Sequence, residues 1–330
     1  MNGFFDGSIA TLVSPVGKLS DRFGGMEHGS RDAPLTIGIV NNMPDSALLA
    51  TERQFVRLVQ TAAGGLVNIR LFHIPGVPRA EDARRILAER YEPVSALYES
   101  RVDALLVTGN EPRAARLNEE PYWPELTKLV DWARLNTRTT LWSCLAAHAA
   151  VQHLDGIERC LLPRKKSGVL NCQKTGVATD TLPAALFVCH SRMNEVRKDD
   201  LLRKGYDILS ETPDGQVDIF SCNLGSNFLF LQGHPEYETD SLMREYRRDV
   251  GRFINGLRQD YPEVPESYFD TETTLRMENY RTEAERTRDI RLFEKFPDVT
   301  LRRGLGARLA NSAAAIFSSW ISHVRAGVSA

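Results

Sequence analysis

The chain has 330 residues, and 41 Lys and Arg against 43 Asp and Glu leave a formal net charge of −2. That balance excludes a generic polyanion binder, whose affinity rests on clustered Lys and Arg, but leaves room for a local basic pocket holding one small anion. An apolar fraction of 42% is enough for a large core, which excludes disorder for the bulk of the chain.

Residues 1–33 mix Gly, Ser, Asp and isolated apolar residues without a period and read as an N-terminal arm. Residues 35–40 are a short β-branched run, a buried strand ending at Asn41 and Asn42. Residues 46–62 carry apolar side chains at helical spacing, 67–74 alternate as a second strand, and 81–99 are patterned as one helix. A third buried strand, 103–109, stops at a turn glycine. An amphipathic helix (123–135), a fourth strand (139–143) and an Ala-rich helix (145–154) follow. This alternation predicts an α/β fold, a parallel sheet with helices on both faces, with the chemistry at the carboxyl ends of its strands. Residues 158–231 read as further short strands with turns at 212–215 and 223–225. The last of them, 228–231, runs into Gly233-His234-Pro235-Glu236, and a helix follows over 240–257. In the tail, Leu305, Leu309, Ala313, Ile316, Phe317, Trp320, Ile321 and Val324 fall on one stripe of an amphipathic helix that docks on the body or at a dimer contact.

The five cysteines form no CxxC pair, so neither a zinc site nor a disulfide framework is expected. There is no secretory leader pattern, and no run approaches the roughly 18 apolar residues of a membrane span. The expectation is a reduced cytoplasmic protein with no membrane or nucleic-acid partner and no metal. Cys144 stands between a strand and a helix. Such an elbow exposes a nucleophile and aims the first helical N–H groups at it, where they favour a thiolate and cradle an oxyanion. His234, followed two residues later by Glu236, supplies a base with an orienting acid. Cysteine at one strand end and His-x-Glu at a later one is the order of a Cys-His-Glu triad on an α/β sheet. Lys165 to Gly168, His190-Ser191-Arg192 and Glu245 to Arg248 are candidate binders of an anionic substrate, and the residues alone do not choose among them.

Taken together, these segments resemble the cysteine-nucleophile homoserine O-succinyltransferase/O-acetyltransferase family. The resemblance is carried by Asn41-Asn42-Met43-Pro44, Thr51-Glu52-Arg53-Gln54-Phe55, Val107-Thr108-Gly109, Tyr122-Trp123-Pro124 and Trp142-Ser143-Cys144. It continues through Lys165-Lys166-Ser167-Gly168-Val169, His190-Ser191-Arg192, Gly233-His234-Pro235-Glu236-Tyr237, Glu245 to Asp249, Val264-Pro265 and Tyr268-Phe269. It implies a flavodoxin-like, class I glutamine amidotransferase-like sheet, and usually a homodimer. It divides the chain into an arm (1–33), an α/β acyltransferase domain (34–270) and a helical C-terminal extension (271–330).

The implied activity is acyl transfer from succinyl-CoA or acetyl-CoA to L-homoserine, a step of methionine biosynthesis with no bound cofactor. By the same resemblance Cys144 is the acyl-accepting nucleophile, His234 the base and Glu236 its partner. Lys165, Ser191 and Arg248 are substrate-binding positions, Arg248 facing the amino acid's carboxylate and Glu245 its ammonium. The backbone at Leu145 and Asn110 is the expected oxyanion site. Arg113 occupies the acyl-specificity position, where glycine accompanies succinyl and glutamate acetyl transfer. A cation there suits the free carboxylate of a succinyl group, which makes succinyl-CoA the expected donor. Another amino-acid hydroxyl as acceptor, and a glutamine amidotransferase-like hydrolase, are the alternative readings.

Overall fold

The computed structural model describes residues 34–65, 67–176 and 182–326, so the expected arm at 1–33 lies outside the described residues. The apolar runs become β1 (Leu35–Val40), β2 (Val67–His73), β4 (Ala104–Val107), β5 (Thr139–Ser143) and β10 (Asn227–Leu231), joined at one edge by the two-residue β3 (Glu92–Pro93). These pair in parallel in the order β3-β2-β1-β4-β5-β10. The sheet continues in antiparallel fashion through β9 (Val217–Asn223), β8 (Asp207–Glu211), β6 (Cys160–Lys174) and β7 (Ala185–Glu195). β1, β4 and β5 are almost wholly buried, as expected of strands covered on both faces.

On one face, α4 (Trp123–Asn136) and α5 (Leu145–Asp155) pack Leu129, Val130, Ala146 and Ala150 against Val107, Trp142, Phe228 and Phe230. On the other, α1 (Leu48–Ala62) and the C-terminal α9 (Leu305–Ala326) cover Ile37, Ile39, Leu106 and Leu141. All eight residues of the tail stripe are buried. The Nε1–H of Trp320 donates to Thr139 Oγ1 at 3.2 Å, which ties α9 directly to β5. A third cluster joins α7 (Ser241–Ile254) to α8 (Thr271–Thr287) through Tyr246, Val250, Met277 and Tyr280. No helix among the described residues is long and apolar enough to cross a membrane.

Two elements differ from the sequence expectation. The single helix over 81–99 is broken into α2 (Glu81–Arg90) and α3 (Val94–Tyr98). Pro93 lacks an N–H and pushes Glu92 into extended backbone, which is why the break falls there. The short strands expected beyond 158 include a long hairpin, with β6 and β7 of 15 and 11 residues. The hairpin supplies Lys165, Ser191, Arg192, Met193 and Asn194 to one wall of the site, and the short α6 (Lys198–Arg203) follows it.

Candidate active site

The register of the sheet assembles the site. Val107 of β4 lies opposite Trp142, and Leu231 of β10 opposite Ser143, so the residues just after these strands meet beside Cys144. The Cys144 N–H donates to Leu231 O at 2.7 Å, and Cys144 itself adopts φ 53° and ψ −115°. A non-glycine residue at positive φ stores about 1–3 kcal/mol of strain and persists only where its surroundings impose it. The half-buried thiol is thereby held at the start of α5, whose first N–H groups have no partner within the helix. Gly109 explains how the β4 loop comes so close: a Cβ there would lie 2.9 Å from Leu145 N and 3.2 Å from Ser143 O. This approach brings the backbone of Asn110 and Leu145 to the same edge of the elbow. The carboxylate of Glu120 fixes the rest of the loop by accepting from Arg113 N at 2.5 Å and Ala114 N at 2.7 Å.

His234 reaches the thiol from β10. Its N–H donates to Cys189 O of β7 at 2.7 Å. Gly233 is required at the turn, because a Cβ would meet Val188 Cγ1 at 2.5 Å and the buried Asp218 and His190 below it. His234 Nδ1 lies 2.8 Å from Glu236 Oε1, which assigns the Nδ1 proton to that hydrogen bond and leaves Nε2 for chemistry. Burial disfavours a charge on His234, but Glu236 and Cys144 outweigh it and hold its pKa well above the usual imidazole value. The Tyr237 ring stacks on His234 at 4.4 Å, and its hydroxyl donates to Glu245 Oε1 at 2.6 Å.

Glu245 is the second centre. It also accepts from Ser191 Oγ, and Lys165 Nζ stands 3.7 Å away. Burial would raise its pKa, but Lys165, Ser191 and Tyr237 hold it below the ordinary carboxylate value. Lys165 lies where the β6–β7 register shifts between Leu161 and Lys166, an irregularity that re-aims side chains. Its ammonium also pairs with buried Asp249 at 2.9 Å. Arg248 donates to Asp249 Oδ1 from Nε at 3.1 Å and Nη2 at 3.0 Å, while Arg252 and Arg258 lie 3.8 and 3.7 Å from the same carboxylate. Arg192, also in the cleft lining, donates to His190 Nδ1 at 3.3 Å and to Gln216 Oε1 at 2.8 Å. The His190 Nε2 proton then faces Asp218 Oδ1 at 3.2 Å. His190 and Cys172 sit with Asp218 in a fully buried polar cluster.

Cys144, Leu145, His234, Glu236, Lys165, Ser191, Glu245, Arg248 and Asn110 all line one cleft of about 620 Å³. Arg113 does not; it lines an adjoining pocket of about 230 Å³ that shares Asn110, Glu111, Pro112 and Pro44 with the cleft. The other thiols are differently placed: burial pushes Cys172 and Cys189 up, and Cys222 up to about 12. Reading the sequence missed Arg159, which lines the cleft from the segment after α5, and passed over Asp249 as the end of a motif. Helical spacing could have flagged Asp249, since Glu245, Arg248, Asp249 and Arg252 share one face of α7. No local pattern marks Arg159.

A family model described as homoserine O-succinyltransferase matches residues 27–328. The homoserine O-succinyltransferase of Rhodopseudomonas palustris is 48% identical over 87% of this chain and 87% of its own length. That of Bradyrhizobium japonicum is 46% identical, covering 92% and 94%, and that of Methylorubrum extorquens 45%, covering 88% and 87%. Among solved structures, a glutamine amido transferase from Methylobacillus flagellatus aligns at a TM-score of 0.50 and 14% identity over 88% of this chain and 94% of that one, a likeness of fold alone. By the extent of the family match and the identity of these relatives, the chain belongs to the homoserine O-succinyltransferase family.

Proposed function

We propose that the protein transfers a succinyl group from succinyl-CoA to the hydroxyl of L-homoserine, through a thioester on Cys144. The proposal includes a role in methionine biosynthesis, a cytoplasmic location and a homodimer as the working assembly. The observation that carries the chemistry is the alignment of Glu236, His234 and Cys144 at one end of the sheet, with a strained cysteine at a helix start.

His234, whose basicity is raised, takes the proton of the Cys144 thiol on Nε2. The thiolate attacks the acyl carbonyl of succinyl-CoA, and the oxyanion gathers toward the backbone amides of Leu145 and Asn110. The carbon–sulfur bond to CoA breaks, and the leaving thiolate takes the proton from His234 Nε2. Homoserine then enters, and its hydroxyl gives its proton to the now neutral Nε2 while its oxygen attacks the Cys144 thioester. The bond to Cys144 breaks, which releases the ester and restores the thiolate–imidazolium pair. Glu236 keeps Nδ1 protonated throughout, so the same ring nitrogen serves both half-reactions. On the α7 side, the edge of Arg248 not engaged by Asp249 suits the carboxylate of homoserine, and Glu245, kept anionic, suits its ammonium. Lys165 and Ser191 hold Glu245 in place.

CoA release from succinyl-CoA, followed with homoserine, serine or water as acceptor, tests the reading. Release that depends on homoserine is expected. Equal release with water, or hydrolysis of glutamine in place of acyl transfer, contradicts it.

A further inference from the structure

Six cationic side chains line the cleft: Arg159, Lys165, Arg192, Arg244, Arg248 and Arg252. Five of them are engaged by carboxylates of the protein. Lys165, Arg248 and Arg252 pair with Asp249, Arg192 with Glu195 at 3.7 Å, and Arg244 with Asp240 at 3.2 Å. Arg159 is different. It is half-buried, and among the described residues no hydrogen bond or ion pair holds its guanidinium. Three residues before it, α5 ends at Gly156 in the left-handed conformation, and the chain turns back toward the cleft. Burial lowers the pKa of Arg159, while Tyr122, Glu120 and Cys144 act to raise it. The guanidinium is therefore partly desolvated, unpaired and within electrostatic reach of the nucleophile, which is the arrangement expected of a group that awaits an anion from a ligand.

We propose that Arg159 is the specificity-determining residue for the acyl group, binding the free carboxylate of the succinyl chain as its carbonyl sits at Cys144. This rests on the succinyl-transfer reading above. The carboxylate of a succinyl group is separated from the thioester carbonyl by only two methylenes, so it must bind close to the cysteine. The phosphates of CoA lie beyond the whole pantetheine arm and are too remote to be the anion meant here. The acceptor's carboxylate is assigned to Arg248 on α7 in the reading above. Arg113, exposed and facing the adjoining pocket, lacks this placement. A cation with no internal partner also explains selectivity: a neutral acyl chain leaves the desolvated guanidinium unpaired, whereas a succinyl group satisfies it with a two-pronged pair.

The test compares succinyl-CoA with butyryl-CoA, which has a methyl group in place of the free carboxylate, in wild type, Arg159→Met, Arg159→Lys and Arg113→Gly. The expected result is a drop of about 50-fold in the ratio of kcat/KM for succinyl-CoA over butyryl-CoA in Arg159→Met, the size of a lost charge-assisted pair. Arg159→Lys recovers part of the ratio, and Arg113→Gly leaves it within a few-fold. Equal losses for both donors, a rise in the KM for homoserine in place of the donor effect, or a ratio that moves with Arg113→Gly and not with Arg159→Met each overturn the inference. A wild-type enzyme that takes no succinyl group overturns the activity reading as well. One that takes it while Arg159→Met keeps the preference overturns this inference alone.

Discussion

His148 lies one helical turn beyond Cys144 and shows what the site demands of single residues. Its Nε2–H donates at 3.0 Å to Gln232 Oε1, which also accepts from Val196 N at 2.9 Å. Burial is the main force on its pKa; the hydrogen bond to Gln232 opposes it, Arg192 and Arg159 reinforce it, and the pKa falls to about 3. In the unfolded chain the same imidazole titrates near about 6.5. Between those values the unfolded state binds a proton that the folded state refuses, so stability rises with pH across the window and falls as pH drops below about 6.5. The slope approaches about 1.4 kcal/mol per pH unit for one such group. Urea unfolding over this range should show a stability loss on acidification that is shallower in His148→Gln, with buried His190 contributing to what remains. An unchanged slope in the variant contradicts the assignment. Roles at this scale were unevenly legible in the sequence. Cys144, His234 and Glu236 sit in recognisable strand-end motifs, and all three reach the cleft. Arg159 is defined by lacking a partner, a property that exists only once the surrounding carboxylates have found other cations.

At the scale of elements, the sheet places chemistry by adjacency. β1, β4, β5 and β10 are neighbours, so Asn42, Thr108, Cys144 and His234 come from four strand ends far apart in sequence. Asn42 N donates to Thr108 Oγ1 at 2.8 Å, locking two of those ends together. α9 supports the same strands from behind. Trp320 is 2% exposed among Leu35, Ile37 and Leu141, and Trp320→Ala should cost about 3–5 kcal/mol in urea unfolding. A loss under 1 kcal/mol would mean that α9 does not seal the sheet. The parallel strands were readable because burial on both faces makes them continuous apolar runs. The β6–β7 hairpin was readable only as short strands, not at its full length, since it lines a polar cleft and its sequence carries Arg164, Lys165, Lys166 and Arg192 where a strand pattern would show apolar residues. The break at Pro93 was present in the sequence but hidden by helical spacing on both sides of it.

For the molecule as a whole, the near-neutral net charge conceals an uneven distribution. Cations outnumber carboxylates in the cleft lining, six to three (Glu111, Glu236 and Glu245), although Asp249, Glu195 and Asp240, which are not part of that lining, pair with five of the six. Five of the cations are held rigid by internal acids, and the sixth waits beside the nucleophile. A proposed succinyl thioester on Cys144 links the two half-reactions. Intact-protein mass spectrometry after mixing with succinyl-CoA, without acceptor, reads that intermediate out. The expected result is a mass gain of one succinyl group that vanishes on adding homoserine and never forms in Cys144→Ala. An unmodified wild-type protein, or an adduct that persists in Cys144→Ala, would contradict it.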